Sequence, residues 1–265
     1  MAKINGTNGK DRITGRAEVD IIHGLDGDDW IAGMNGNDTI YGEGGNDVIN
    51  GGADNDMLDG GIGNDTVTGD AGNDYVYGGL GTDGLYGGGG NDLLYGQAGN
   101  DTMFGDGNND MLFGGIGNDV LSGGANEDTL AGDSGNDSLN GNDGADGLYG
   151  GTGNDTLTGG AGNDELSGNS GVNTFVWAKA DVVTAAGLAN GLDTLNDFKV
   201  GDILDLRTIF TGVAGSHEAL THLTASGTDM VLSVDIAGKA YTVATLIDAS
   251  GFNLHAMVLN HTVLL

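Results

Sequence analysis

An all-β solenoid, in which short parallel strands stack coil upon coil, is the fold class this sequence predicts. Three observations predict it. A nine-residue period runs without insertion or deletion from Gly6 to Val176, giving 19 units. One position of every unit is apolar with variable neighbours, the period-two signature of a strand with one buried face. Gly fills 55 of 265 positions while Pro and Cys fill none, so neither collagen-like spacing nor a disulfide framework accounts for the composition.

Each position of the unit has a physical reason. Position 1 is Gly in all 19 units, from Gly6 to Gly168, and position 4 is Gly in 15. Position 8 is always apolar, from Ile13, Ile22 and Ile31 through Leu157 and Leu166 to Phe175. A three-residue strand over positions 7–9 turns that middle side chain inward and its neighbours outward. Six Gly-rich residues then turn the chain. Gly permits positive φ there, and the Asn common at position 5 tolerates a left-handed conformation. Two units, strand–turn–strand–turn, complete one coil. Stacked coils form two short parallel sheets around a thin apolar ladder, at about 4.8 Å per coil.

Position 6 is Asp in 18 units: Asp11, Asp20, Asp29, Asp38, Asp47, Asp56, Asp65, Asp74, Asp83, Asp92, Asp101, Asp110, Asp119, Asp128, Asp137, Asp146, Asp155 and Asp164. Only the last unit departs, with Asn173. The formal net charge is −31, and between Ala17 and Ala178 there are 29 acidic residues and no Lys or Arg. Carboxylates packed side by side repel, so a cationic partner must come from outside. Nucleic acid and anionic membranes are excluded by the same field. No run approaches the roughly 18 apolar residues of a membrane span, and MAKINGTNGKDR has no apolar leader region.

One buried Leu per unit contributes about 2 kcal/mol, and fixing nine backbone residues costs several times that. Something must therefore bind in the turns, where the Asp residues lie. Stacking sets the Asp of one unit beside that of the next unit but one, among turn carbonyls. That all-oxygen cage suits Ca²⁺, whereas Mg²⁺ wants a stricter octahedron and Zn²⁺ wants nitrogen or sulfur. Pairing of unit n with n+2 allows up to 17 inter-turn sites.

The units GGIGNDVLS, GGTGNDTLT and GGAGNDELS resemble the repeats-in-toxin (RTX) nonapeptide GGxGxDxUx, a calcium-binding parallel β-helix repeat. The resemblance covers about two thirds of the chain. It implies a right-handed parallel β-roll with Ca²⁺ held between successive coils by the position-6 Asp and turn carbonyls. Glu18, Asp54, Asn108 and Asn126 replace the position-4 Gly. Asp and Asn accept a left-handed backbone more readily than Glu, so the Gly15–Asp20 turn is the expected defective site. Asn173 is expected to end metal binding.

These readings divide the chain into a β-roll over 1–176 and a small β-rich cap over 177–265, because a solenoid needs its open end covered. After Val176 the period disappears. Alternation over 230–236 and 241–247 reads as a hairpin turning near Ala237–Gly238, and one short helix is expected elsewhere in the cap. The phrase DTLNDFKVGDILDL is similar to the segment that follows RTX repeats in type I secreted proteins. That resemblance implies a type I secretion apparatus as partner, an uncleaved signal near the C-terminus and an extracellular destination. It also gives calcium a role, because a chain kept unfolded by low cytosolic Ca²⁺ folds once exported.

No enzyme is expected. SHEALTH places His217 and His222 five apart rather than four, the wrong spacing for a helical zinc pair with Glu218. The catalytic domains of RTX enzymes precede their repeats, and here repeats begin at Gly6. The expected role is that of a secreted calcium-binding protein of the extracellular matrix or a host or cell surface. The alternatives are an accessory module of an alginate epimerase or serralysin-like protease, or a surface-layer or adhesin protein. Tyr77, Tyr95 and Phe113 at position 9 of alternate units form an outward stripe that could serve extracellular polysaccharide or self-association.

Overall fold

The computed structural model describes residues 2–177, 191–199, 202–206, 221–226, 229–236, 239–246 and 263–264. It is an all-β parallel solenoid with no helix among the described residues. Successive strands alternate between a 14-stranded and a 12-stranded sheet. Each strand of the roll pairs in parallel with the strand two units further along, as in Ile40 beside Leu58 and Leu58 beside Val76. A coil of two units is therefore the repeating layer, as the period requires.

The strands are longer than the expected three residues. Thr39–Gly44, Met57–Ile62 and their equivalents run six residues, from position 7 through position 3 of the next unit. Only positions 4–6 form the turn. Pairing skips position 1: Tyr41 faces Asp59 and the next pair is Glu43 with Gly61. The strand bends at that glycine and continues, so each coil has more paired backbone than the apolar pattern alone suggests.

Position 8 fills the interior. From Ile22 to Phe175 its side chains are 0–1% exposed, in two rows along the axis, one from each sheet. Position 1 lies beside them, and its glycine is required for space. A Cβ on Gly60 would come within 2.6 Å of both the Asp65 Oδ2 and the Gly78 carbonyl oxygen. The left-handed residues are instead at positions 2 and 4, including Leu25 at φ 81° and Met34 at φ 92°. Asn at position 5 is not left-handed. It forms a ladder, with the Asn64 amide donating to Asn46 Oδ1 at 2.7 Å and the Thr82 amide to Asn64 Oδ1 at 2.8 Å.

The period does not end at Val176; it is interrupted. Asp193–Leu195 and Ile203–Asp205 continue the two sheets, pairing with Glu165–Ser170 and Thr174–Val176. The register there, Glu165 beside Thr194 and Thr174 beside Ile203, spans one coil plus an insertion, which hides it from a fixed-period reading. Beyond them, Lys239–Leu246 pairs in parallel with Asp193–Leu195, then antiparallel with Asp229–Ile236, which pairs with Thr221–Ser226. The expected hairpin is thus present, with its tip at 237–238 outside the described residues. His222 lies in the strand Thr221–Ser226. His217, Glu218 and the segments open to the short helix lie outside the described residues.

Gly60→Ala should lower the thermal midpoint of the folded chain by several degrees, as overpacking of a filled interior does. Gly44→Ala, whose Cβ would meet nothing nearer than 3.5 Å, should leave it almost unchanged. Scanning calorimetry of both variants makes the comparison.

Candidate metal centre

The position-6 aspartates from Asp20 to Asp164 are 0–3% exposed. Each is anchored by its backbone and by one carboxylate oxygen. The Asp29 amide donates to Asp47 Oδ1 at 2.8 Å, Asp47 to Asp65 at 2.7 Å, and Asp83 to Asp101 at 2.8 Å. The aspartate carbonyl accepts from the next coil, as Asp29 O does from the Val48 N–H at 2.8 Å. Two continuous columns result, one along each edge where the turns stack.

The second oxygen faces inward, toward the glycine that opens its own unit. From Asp29 to Asp155 this Oδ2 is buried with no hydrogen-bond partner, fifteen atoms in succession. A buried carboxylate oxygen without a donor carries a large desolvation penalty. Burial accordingly pushes these carboxyls up, with neighbouring carboxylates adding to the effect. Asp56, Asp65, Asp110 and Asp146 rise to about 7 and Asp47 to about 6, although a backbone N–H pulls each of them down. An uncharged fold would satisfy these groups with protons; at neutral pH they call for a cation.

At both ends the protein itself supplies the donor. Asp11 Oδ2 accepts from the Thr7 amide at 2.6 Å and its hydroxyl at 2.9 Å. Asp20 Oδ2 accepts from the Arg16 amide at 2.7 Å. Among the replacements of the position-4 glycine, Asp54, Asn108 and Asn126 are left-handed and Glu18 is not; Gly9, in the first turn, is not left-handed either.

At the C-terminal end the structure adds two residues that sequence reasoning missed. Asp193 and Asp202 occupy the same column positions, accepting the amides of Asp164 and Asn173. Asp193 Oδ2 accepts from the Trp177 indole N–H, and Asp202 Oδ2 accepts from the Lys199 amide at 3.0 Å. Asn173 keeps the column's backbone bond, taking the Asp155 amide at 3.0 Å, but contributes no carboxylate. The signal was present: Asp193-x-Leu195 and Asp202-x-Leu204 keep the Asp-x-apolar spacing, one unit apart.

The donor set is hard oxygen throughout. Among the described residues no three carboxylate, imidazole or thiolate side chains converge on one point, so an ion in a turn must take most of its ligands from main-chain carbonyls and water. The Asp65 Oδ2 and the Gly78 carbonyl already approach the one spot that Gly60 keeps open. Flexible oxygen coordination of that kind fits Ca²⁺. No thiolate is available, and the glycine-lined cradle holds no imidazole for Zn²⁺.

Comparison with known proteins agrees with this chemistry. The profile of the RTX calcium-binding nonapeptide repeat (4 copies) matches residues 3–31, 23–58, 51–85, 86–121, 104–139, 122–157 and 140–175. No curated protein sequence matches the chain. Among solved structures, the chain is similar to the R2 subunit of the Azotobacter vinelandii mannuronan C5-epimerase. Identity is 29% over 54% of this chain and 90% of that one, with a TM-score of 0.41. The R3 subunit of that epimerase is 26% identical over 56% of this chain and 77% of its own, with a TM-score of 0.24. The extracellular lipase of Serratia marcescens is 16% identical over 96% of this chain and 40% of its own, with a TM-score of 0.18.

The raised carboxyls give a pH dependence of definite sign. The folded metal-free chain binds more protons than the unfolded chain, so its stability falls as pH climbs from the ordinary carboxyl value of 3.8 to about 7. Circular dichroism in EGTA should show strand structure near pH 5 and lose it by pH 7.5. Asp101→Asn should cut the number of ions bound and steady the metal-free fold, since it removes a buried charge. Asp11→Asn should leave ion stoichiometry unchanged. Calorimetric titration of the two variants against wild type separates them.

Proposed function

We propose that this chain, which belongs to the family of RTX calcium-binding nonapeptide repeats, is a non-enzymatic protein that folds by taking Ca²⁺ into its turns after export. The supporting observation is the unbroken run of buried Oδ2 atoms without donors, in a segment with no Lys or Arg. Asp29 through Asp155 would hold the ions together with position-1 carbonyls, and the bound cations would supply the charge that the protein lacks. Ligand binding confined to the folded state adds its free energy to folding.

The same observation supports a site count. One edge carries eight such aspartates, from Asp29 to Asp155, enclosing seven gaps; the other carries seven, from Asp38 to Asp146, enclosing six. Thirteen gaps are therefore flanked by donor-less carboxylates on both sides, fewer than the 17 that the repeat count allows. Asp11, Asp20 and Asp193 bound the columns and need no ion at their Oδ2.

In this reading the unfolded, self-repelling chain is the form that passes through a type I exporter, guided by a signal within 177–265. The folded roll acts outside the cell, in the matrix or at a host or cell surface. Family membership and the run of buried, donor-less carboxylates support that reading.

Calcium titration followed by calorimetry and far-ultraviolet circular dichroism tests the proposal. About thirteen ions should bind per chain, and strand signal should appear only as they bind. Native strand signal in EGTA at pH 7.5, or binding of only a few ions by a fully folded chain, would overturn it.

A further inference from the structure

We propose that one outer face of the roll pairs two calcium-loaded copies of this chain, sheet against sheet. The face lies on the 14-stranded sheet over four consecutive strands, Met57–Ile62, Tyr75–Leu80, Leu93–Ala98 and Met111–Ile116. The inference rests on the calcium-folding reading above, because it needs the roll to be assembled.

Three apolar rows cross these strands. At position 7, Met57, Tyr75 and Met111 are 41%, 52% and 46% exposed. At position 3, Ile62, Leu80 and Ile116 are 63%, 56% and 69% exposed, joined in register through Ala98. Between them runs the position-9 column of Tyr77, Tyr95 and Phe113. In a chain of net charge −31, these four strands hold one carboxylate, Asp59. Contiguous exposed apolar surface of this kind marks a contact site.

The ring geometry disfavours a sugar, and the scarcity of carboxylates on the face lets a like-charged second copy approach. Tyr77 and Tyr95 stack at 5.3 Å and 6°, and Tyr95 and Phe113 at 5.0 Å and 14°. Four of the six ring faces are spent on one another, and the two end faces look along the sheet toward Asp59 and Ala131. A sugar, which stacks on an open ring face, finds little to bind, so the stripe favours self-association over polysaccharide. An apolar protein surface accepts ring edges.

A second copy also matches the spacing. Rows on a β-ladder recur at about 4.8 Å, and two such ladders interdigitate when packed face to face. Charge sets the order of events. Two metal-free copies repel across their whole length, whereas the face itself brings almost no like charge into contact once the turns are neutralised.

Sedimentation velocity and circular dichroism on the same samples test this. In millimolar Ca²⁺ the wild type should be a dimer, and in EGTA it should not. The double variant Leu80→Asp with Ile116→Asp should keep the calcium-induced strand signal and weaken dimerisation about a hundredfold or more. Val48→Asp with Val120→Asp, on the opposite sheet, should leave the dimer intact. If the first pair fails to reach wild-type strand signal, Tyr75→Lys reads the same surface from a half-exposed position.

A fully folded wild type that stays monomeric at about 100 µM overturns this inference while sparing the calcium reading. Equal weakening by both double variants overturns it too. So does capture of the folded monomer by neutral phosphatidylcholine vesicles or by alginate, which would assign the face to lipid or sugar. Absence of strand signal in Ca²⁺ removes the calcium reading and the dimer together, and the dichroism identifies that case.

Discussion

Carboxylate oxygens that face inward and meet no donor are the constraint on which this architecture depends. From Asp29 to Asp155 the Oδ1 of each aspartate is spent on the coil before it, and the backbone carbonyl on the coil after it. Rotating the side chain to relieve its Oδ2 would break the bond that stacks the coils. The protein has tied its layer-to-layer hydrogen bonding to an arrangement that buries negative charge. A basic side chain from within could have relieved that charge, but the segment contains none. The interior itself, one row of mostly Ile, Leu, Val and Met from each sheet, is too thin to carry the burden by hydrophobic burial.

The rest of the unit serves that arrangement. Position 1 is glycine because the carboxylate and a carbonyl from the next coil approach the place a Cβ would fill, as at Gly60. The asparagine ladder at position 5 ties neighbouring turns together through neutral groups. The ends are built differently. Thr7, Arg16, Trp177 and Lys199 donate to Asp11, Asp20, Asp193 and Asp202, so the terminal coils are closed by the chain's own donors. A solenoid gains stability from neighbour contacts and is weakest at its ends. Here the ends are where the chain's own donors meet the carboxylate oxygens that lie donor-less between them.

Much of this was legible in the sequence. The inward ladder at position 8, the two-unit coil, the two parallel sheets and the paired aspartates all follow from a period that never slips between Gly6 and Val176. What a repeat conceals is which constraint keeps a residue constant. Position 1 reads as conformational and is steric; Asn at position 5 reads as left-handed and is a hydrogen-bond ladder. The left-handed duty falls on positions 2 and 4; position 4 shows it as glycine, whereas Leu25, Met34 and Glu43 at position 2 blur the Gly, Asp and Asn of the other units. Asp193 and Asp202 were missed because an insertion displaced an intact Asp-x-apolar pattern.

Hydrogen exchange at the amides of Asp29 through Asp128 tests the central claim most directly, since each donates to the carboxylate of the following coil. At pH 7.5 in EGTA these amides should exchange as in an unfolded chain, and Ca²⁺ should protect them together along both columns. Strong protection of the same amides in EGTA would contradict the account, because it would mean the buried carboxylates tolerate one another without a cation.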